Sequence, residues 1–518
     1  MKKQIALIAA VAMSAAVVTG CSEKEDSSSG NKLTYWSDLP AAAASHIQSM
    51  SEMTMYQELE KQTGVQVEFI HPPAGQTAEQ FNLLIASGTE DLPDIIEYDW
   101  TNYPGGPEKA ISDGILIGLN DLIDEYAPNF KKAMESNETY KKQCTTDDGT
   151  YYGFPALNVG QYRTFGGLII RQDWLDDLGL ESPETLEEWE TVLRAFKEKK
   201  GATAPLTFAS NGLFTTYHFN NIFDISTVMY VDGDKIKLPQ LEPGYKEYVE
   251  LMHKWYEEGL LDNEFDTNNS TVVDAKMTNG SSGVTYGFIG GTMGRYASAM
   301  QEKDPKYKVA AAQFPVKNKG DEPRFFECQK EANAPFAAIT TNCKNPEEVV
   351  KWLDYLYSPE GEILKNFGVE GKTYTKDGEH YVYTDEILNN PNGLSIAEAM
   401  AVNFRANAPS PGYNQHEDYL KQYYTLDEQR EALDVWTKYT PNAAKTIVPP
   451  ITTTVDENEE LVSIKSEVET YTQEMVVKFI KGIEAMENYD KFVEQLKKMG
   501  AERMVEINQA ALDRYNKR

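Results

Sequence analysis

Apolar positions change their period along this chain, and each period predicts an element. Residues 5–18 are almost continuously apolar, preceded by Lys2 and Lys3 and closed by Val18-Thr19-Gly20-Cys21. After a polar stretch at 22–30, residues 33–36 read as a short strand, 47–62 as an amphipathic helix stopped by Gly64, and 65–69 as a strand of period two. Residues 81–87 are helical, 88–93 form a turn and 94–98 a third strand. Strand, helix, strand, helix, strand predicts right-handed parallel crossovers in one sheet. Ligands of such sheets meet the loops beyond the carboxyl ends of the strands. Those loops are Trp36-Ser37-Asp38-Leu39-Pro40, His71-Pro72-Pro73 and Asp99-Trp100-Thr101-Asn102-Tyr103.

The opening apolar run is too short to span a bilayer and has no stop-transfer flank. It reads as a signal peptide over 1–20, and its end resembles a lipobox, with Cys21 becoming a lipid-bearing N-terminus. Several acyl chains, at about 0.8 kcal/mol per buried methylene, anchor where one chain does not. Residues 21–30 are then a flexible tether. The expected location is the extracellular face of the cell membrane, lipid-anchored at Cys21.

About 490 residues follow the tether, which is more than one core usually holds and predicts two or more domains. The 49 Lys and Arg stand against 81 Asp and Glu, for a formal net charge of −32. That field repels nucleic acid and disfavours polyanions unless a local basic pocket overrides it. Beyond Cys21 only Cys144, Cys328 and Cys343 occur, without metal-type spacing. Free thiols are expected, with a Cys328–Cys343 disulfide as the alternative. The six histidines are scattered, with no zinc motif, and neither metal nor cofactor is expected.

Five tryptophans fall on helix-like segments. Thr185-x-x-Glu188 reads as a capping box before Leu186, Trp189, Val192, Leu193 and Phe196, and Asn345-Pro346 opens a helix with Val349, Trp352, Leu353 and Leu356 on one face. With Trp174, Trp255 and Trp436 these are read as packing residues. Trp36 and Trp100, beside strand-end carboxylates, are instead expected to be ligand platforms.

Leu92-Pro93-Asp94-Ile95, Tyr126-Ala127-Pro128-Asn129, Gly149-Thr150-Tyr151-Tyr152-Gly153-Phe154-Pro155 and the run from Ile170 to Leu180 resemble the extracellular solute-binding proteins of family 1. Trp255-Tyr256-Glu257-Glu258-Gly259-Leu260, Ser358-Pro359-Glu360-Gly361 and Phe367-Gly368-Val369-Glu370-Gly371 continue the match in order. The resemblance implies the substrate-binding lipoprotein of an ABC sugar importer, of the long oligosaccharide branch. It implies a two-lobed α/β fold like that of periplasmic binding proteins, each lobe a sheet flanked by helices, with the ligand cleft between them. The expected lobes are 31–157 plus 282–325, and 158–281 plus 326–518, with chain crossings near 155–164, 282–294 and after 313–316. Expected partners are an oligosaccharide, neutral or weakly charged, the ABC permease subunits and, through the anchor, the membrane; the body is expected to be a monomer. Alginate-binding relatives carry a calcium loop after the helix that ends here at 196–199. Lys200-Gly201-Ala202-Thr203-Ala204-Pro205 lacks its oxygen ligands, so no calcium is expected there.

The ligand set expected on this basis is Trp36, Asp38, Asp99, Trp100 and Tyr103 from the first lobe, and Gln161, Tyr162 and Arg163 beside the first crossing. Tyr286, Phe288 and Arg295 flank a glycine cluster, Gly287, Gly290, Gly291 and Gly294, whose spacing matches no phosphate motif. Asn211 and Tyr374, with Arg405 and Asn407, follow from loop position and residue type. For Arg163 a salt link between the lobes is the competing reading. Two rival functions share the outer features: a secreted glycoside hydrolase, needing two placed carboxylates, and a surface lipoprotein that senses peptides or glycans. No catalytic signature accompanies the acids, so a non-enzymatic binder is expected. Cys21→Ser is expected to abolish lipid attachment and release a folded body with unchanged ligand affinity, as membrane fractionation and titration would read; membrane retention after a salt wash would refute the lipobox.

Overall fold

The computed structural model describes residues 32–518 except 211, 216, 217, 301 and 302. The signal segment, the tether, Cys21 and Asn211 therefore lie outside the described residues. The strands are β1 (Leu33–Trp36), β2 (Val67–Ile70), β3 (Ile95–Tyr98), β4 (Phe154–Asn158), β5 (Gly166–Arg171), the hairpin β6 (Tyr230–Asp232) and β7 (Lys235–Lys237), β8 (Val284–Phe288), β9 (Val309–Ala311), β10 (Ala332–Ile339), the hairpin β11 (Tyr374–Asp377) and β12 (His380–Tyr383), and β13 (Gly412–Asn414).

Helices Thr54–Thr63 and Thr77–Ala86 connect β1, β2 and β3 as crossovers, and β1 pairs in parallel with both neighbours. Gly64 ends the first of these helices at φ 74°, a left-handed conformation that costs glycine little. The sheet continues to six strands in the order β13-β4-β10-β3-β1-β2. β10 alone runs against its neighbours, so the carboxyl ends of the other five share one edge. The second sheet is β8-β5-β9, with β5 antiparallel to both. All six residues of β5 are buried because this strand is central and covered on both faces. Leu168 and Ile170 join the core of the second lobe with Trp189 and Trp255, while Ile169 packs on the other side. The Thr185 capping box forms; at Asn345 the side chain makes no cap and Pro346 alone opens the helix.

The strand pairing corrects the expected division into lobes. β8 and β9, assigned by sequence to the first lobe, pair with β5; β10 and β13, assigned to the second, complete the first sheet. The glycine-rich segment at 282–294 looks like a crossing but is strand β8 followed by a single π-helical turn, Ile289–Met293. Its glycines serve close packing: a Cβ at Gly287 would lie 2.6 Å from Thr292 and 2.7 Å from Ile169. The crossings are instead 159–165, 312–331 and the stretch after β13. The first two run side by side. Asn158 N–H donates to the Glu331 carbonyl at 2.8 Å, its side-chain amide to the Lys330 carbonyl at 2.8 Å, and Gln329 N–H to the Arg163 carbonyl at 2.8 Å. In the third, helix Asp427–Thr437 sets Trp436 over Gly167, where a Cβ would fall 2.4 Å from the indole, and its Nε1–H donates to the Ala312 carbonyl at 2.9 Å.

Three described cysteines are unpaired. At 200–205 the chain turns tightly, Ala202 N–H donating to the Phe196 carbonyl and Ala204 N–H to that of Ser281. No helix among the described residues is long and apolar enough to cross a membrane.

One ionisable group in the second crossing is poorly accommodated. Burial pushes the Glu327 carboxyl up to about 7, offset in part by the backbone amides of Phe165 and Gly166, and its Oε2 has no partner among the described residues. The folded state therefore holds a proton that the unfolded chain releases near pH 4.5. Stability should fall as pH rises from about 4.5 to 7 and then level off, by about 3 kcal/mol for this group alone. Glu327→Gln should remove that part of the slope; denaturant melts across the range that show the same slope in both proteins would refute it.

Candidate functional site

The edge shared by five strand carboxyl ends in the first lobe and the β8 end of the second lobe is where the sequence places the ligand. The site is best formed on the second-lobe side. There a cavity of about 400 Å³ is lined by Tyr286, Phe288, Gly291, Thr292, Asp274 and Arg295, among others. Its size lies within the range of small-molecule sites. Gly166 stands opposite Phe288 in the β5–β8 register. A Cβ at Gly166 would meet the Tyr286 hydroxyl at 2.7 Å and the Phe288 ring at 3.0 Å, so glycine there makes room for both aromatics. The rings stand edge to face, 6.1 Å apart at 84°, and Phe288 is 50% exposed. Thr292 Oγ1 accepts from Phe288 N–H at 3.0 Å and holds the turn Ile289–Met293 against the strand end. A large apolar ring kept half in water beside this turn is available for stacking on a ligand.

Thus Tyr286, Phe288 and Arg295 are brought together as expected. Arg295 is not free: Nε and Nη2 each donate to Asp274 at 3.0 Å, and Nη1 donates to the Gly291 carbonyl.

The first-lobe tryptophans depart from expectation. Trp36 is 4% exposed between Phe81 and Tyr98, and Trp100 is fully buried, its ring edge-on to Phe81 at 5.4 Å. Both indoles turn inward because helix Thr77–Ala86 covers the strand ends with Phe81. They are core residues, not platforms, and Trp100 Nε1 has no partner among the described residues. Asp99 is spent as a cap, accepting from Thr101 N–H at 3.1 Å and Thr101 O–H at 2.7 Å. Tyr103 is buried and donates to Asp113 at 2.8 Å; burial and that carboxylate push its hydroxyl up to about 12. Asp38 is exposed and accepts from the Thr77 hydroxyl.

Beside the first crossing, Gln161 is exposed and Tyr162 half-buried. Arg163 is buried, donates to the Gln329 carbonyl at 3.2 Å and pairs with Glu331 at 3.3 Å, so its salt link joins two crossings to each other rather than one lobe to the other. Tyr374 begins β11 in a different groove, near Tyr381 and Lys376. Arg405 is consumed by a buried bidentate pair with Glu97, at 2.7 and 2.9 Å, and Asn407 donates to the Ala397 carbonyl.

Three further residues near the strand ends, Gln415, Tyr423 at the end of helix Glu417–Tyr423, and Lys330, carry no signal in the sequence. Gln415, just past β13, holds a left-handed backbone at φ 58° and buries an Oε1 that has no partner among the described residues. Asp224, at φ 54°, is the other described non-glycine residue in this region of backbone. Tyr423 lies over Gly290, where a Cβ would approach its ring within 3.0 Å. Lys330, half-buried where β10 begins, has its ammonium disfavoured by burial, with the charge of Asp99 opposing that shift. Buried Lys365 sets this edge, donating to the carbonyls of Ser410 and Gly412 and to Asn414 Oδ1, while Asn414 reaches Asn158. No local pattern in the sequence signals these contacts, which span up to 256 residues.

Two α/β sheets joined by three crossings, with their strand ends at the junction, define a two-lobed ligand-binding protein. Residues 43–363 match the family described as bacterial extracellular solute-binding proteins, and the chain belongs to that family. Among curated relatives it is 26% identical over 493 residues to the fructooligosaccharide ABC transporter substrate-binding protein FusA of Streptococcus pneumoniae, covering 90% of this chain and 87% of that one. It is 27% identical over 436 residues to the lipoprotein LipO of Bacillus subtilis, covering 78% and 80%. Among solved structures, an HMO-binding ABC-transporter-associated solute-binding protein of Bifidobacterium longum infantis superposes with a TM-score of 0.76 at 19% identity, covering 94% of this chain and all of that one. The alginate-binding protein AlgQ2 without calcium gives 0.70 at 24%, covering 93% and 98%. These likenesses establish the two-lobed fold.

The aromatic assignments separate by experiment. Trp36→Ala and Trp100→Ala should each cost about 3–5 kcal/mol of stability, as Trp189→Ala should, because all three empty a packed core. Phe288→Ala should cost under about 1 kcal/mol while weakening ligand binding about tenfold. Denaturant melts paired with titration calorimetry decide it, and a Trp100→Ala protein of full stability with lost affinity would restore the platform reading.

Proposed function

We propose that the protein captures an oligosaccharide outside the cytoplasmic membrane and delivers it to the permease of an ABC importer, as a lipoprotein anchored through Cys21 and acting as a monomer. The observation that carries this reading is the half-exposed Phe288 ring held beside Tyr286 in a cavity of about 400 Å³ at a strand end. An aromatic face covers the apolar face of a pyranose, and neighbouring polar groups answer its hydroxyls. The relative named as a fructooligosaccharide-binding transporter component supports the ligand class. Membership of an extracellular solute-binding family supports the location, and the lipobox-like sequence at Cys21 supports the anchor.

Catalysis is not part of the reading. Hydrolysis of a glycoside takes an acid and a second carboxylate across the bond. The cavity lining supplies one carboxylate, Asp274, and both its oxygens are held by Arg295. Binding energy would instead shift the equilibrium between open and closed lobes.

Calorimetry of the body from residue 32 onward against fructo-, malto-, xylo- and galacto-oligosaccharides is expected to show saturable one-to-one binding to one series without release of reducing ends. Binding to none of them, or steady production of reducing ends, would overturn the proposal.

A further inference from the structure

The candidate cavity contains two charged side chains, and they are committed to each other. Asp274 comes from helix Ser270–Thr278 and Arg295 from helix Gly294–Met300, so the pair bridges the two elements that frame the opening. The guanidinium presents its fork to both carboxylate oxygens at 3.0 Å, and its third nitrogen donates to the Gly291 carbonyl. The arginine and aspartate side chains remain 52% and 29% exposed, so the link adds little to stability. Its consequence is for whatever enters the cavity.

We propose that Asp274 is a specificity determinant that makes this site take neutral saccharides and refuse uronic-acid chains. The inference rests on the oligosaccharide reading above. A uronate is recognised most strongly by a free guanidinium, which meets its carboxylate with two parallel hydrogen bonds. Here that geometry is already occupied by the protein's own carboxylate, and a ligand carboxylate would also meet the like charge of Asp274. A neutral sugar faces no such conflict. Its hydroxyls both donate and accept, matching the outward lone pairs of Asp274 and the remaining N–H groups of Arg295.

The other cations near the lobe junction do not replace Arg295. Arg163 is paired with Glu331 at 3.3 Å and Lys421 with Glu417 at 2.8 Å. Lys330 lines a different cavity, at the crossings, together with Arg163 and Tyr515.

The test uses trigalacturonate and its methyl ester, which share a skeleton and differ in charge, alongside the neutral series above. Wild-type protein should bind trigalacturonate at least about tenfold more weakly than the neutral ligand that the panel identifies. Asp274→Asn should raise trigalacturonate affinity about tenfold and make it fall with added salt, as a freed guanidinium requires, without a matching gain for the ester. The double variant Asp274→Asn/Arg295→Gln should lose that gain. Asp274→Ser serves the same purpose if the asparagine variant melts early. A wild-type preference for trigalacturonate, or an Asp274 variant that folds and gains nothing for the acid, overturns the inference. Failure of the wild type to bind any saccharide overturns the oligosaccharide reading itself, and this inference with it.

Discussion

The structure depends on two chain crossings that are hydrogen-bonded to each other. Segments 159–165 and 312–331 carry the chain between two sheets, and the backbone of Asn158, Arg163, Gln329 and Glu331 joins them like a short ribbon. Arg163 reinforces the ribbon with a buried ion pair to Glu331, and the stacked rings of Phe314 and Phe326, 4.3 Å apart, give it an apolar side. Because the crossings are hydrogen-bonded to each other, sliding one lobe past the other would break these bonds. The end of β4 and the end of β8 both adjoin the first crossing, since Asn158 directly precedes it and Gly166, opposite Phe288, directly follows it. The pairing also makes Glu327 conspicuous, since a carboxyl that burial pushes up to about 7 sits inside the second of these crossings.

Local order was legible in the sequence where local physics decides it. The order of the βαβαβ opening, the Thr185 capping box and the five packing tryptophans follow from periodicity and capping, although the first helix begins at Thr54 rather than at 47, after a separate turn at Met50–Glu52. Lobe membership was not legible, because β10 joins the first sheet by inserting antiparallel between β3 and β4, partners more than 170 residues earlier in the chain. An apolar strand carries no mark of which sheet will accept it. The glycine cluster misled for a related reason: glycine permits hinges and close packing alike, and only the neighbours Ile169, Thr292 and Tyr423 reveal the second use.

The site was legible in part. Tyr286, Phe288 and Arg295 converge because one short segment supplies them, so the spacing of a strand and its following turn suffices. Trp36 and Trp100 were misplaced because strand-end position fixes where a residue begins and not which way its ring turns. Phe81, from the helix after β2, draws both indoles inward. Gln415 and Tyr423 were invisible because their importance comes from β13, a three-residue strand held by buried Lys365 rather than by any pattern of its own.

The C-terminal helices add a constraint on closure. Val455–Ile480 packs on helix Pro243–Glu257 of the second lobe, yet the chain end returns to the first. Arg514 and Arg518 both reach Asp147, and Arg518, whose side chain is 2% exposed, also donates to the carbonyls of Lys142 and Thr145. A buried guanidinium satisfied by backbone carbonyls is costly to withdraw, since each donor left unmet in the interior carries a desolvation penalty. Any rotation of the lobes must therefore leave this attachment nearly fixed. The attachment at Asp147 and the paired crossings thus tie the two lobes together at two separate places, while the cavity at Phe288 is lined by second-lobe residues alone.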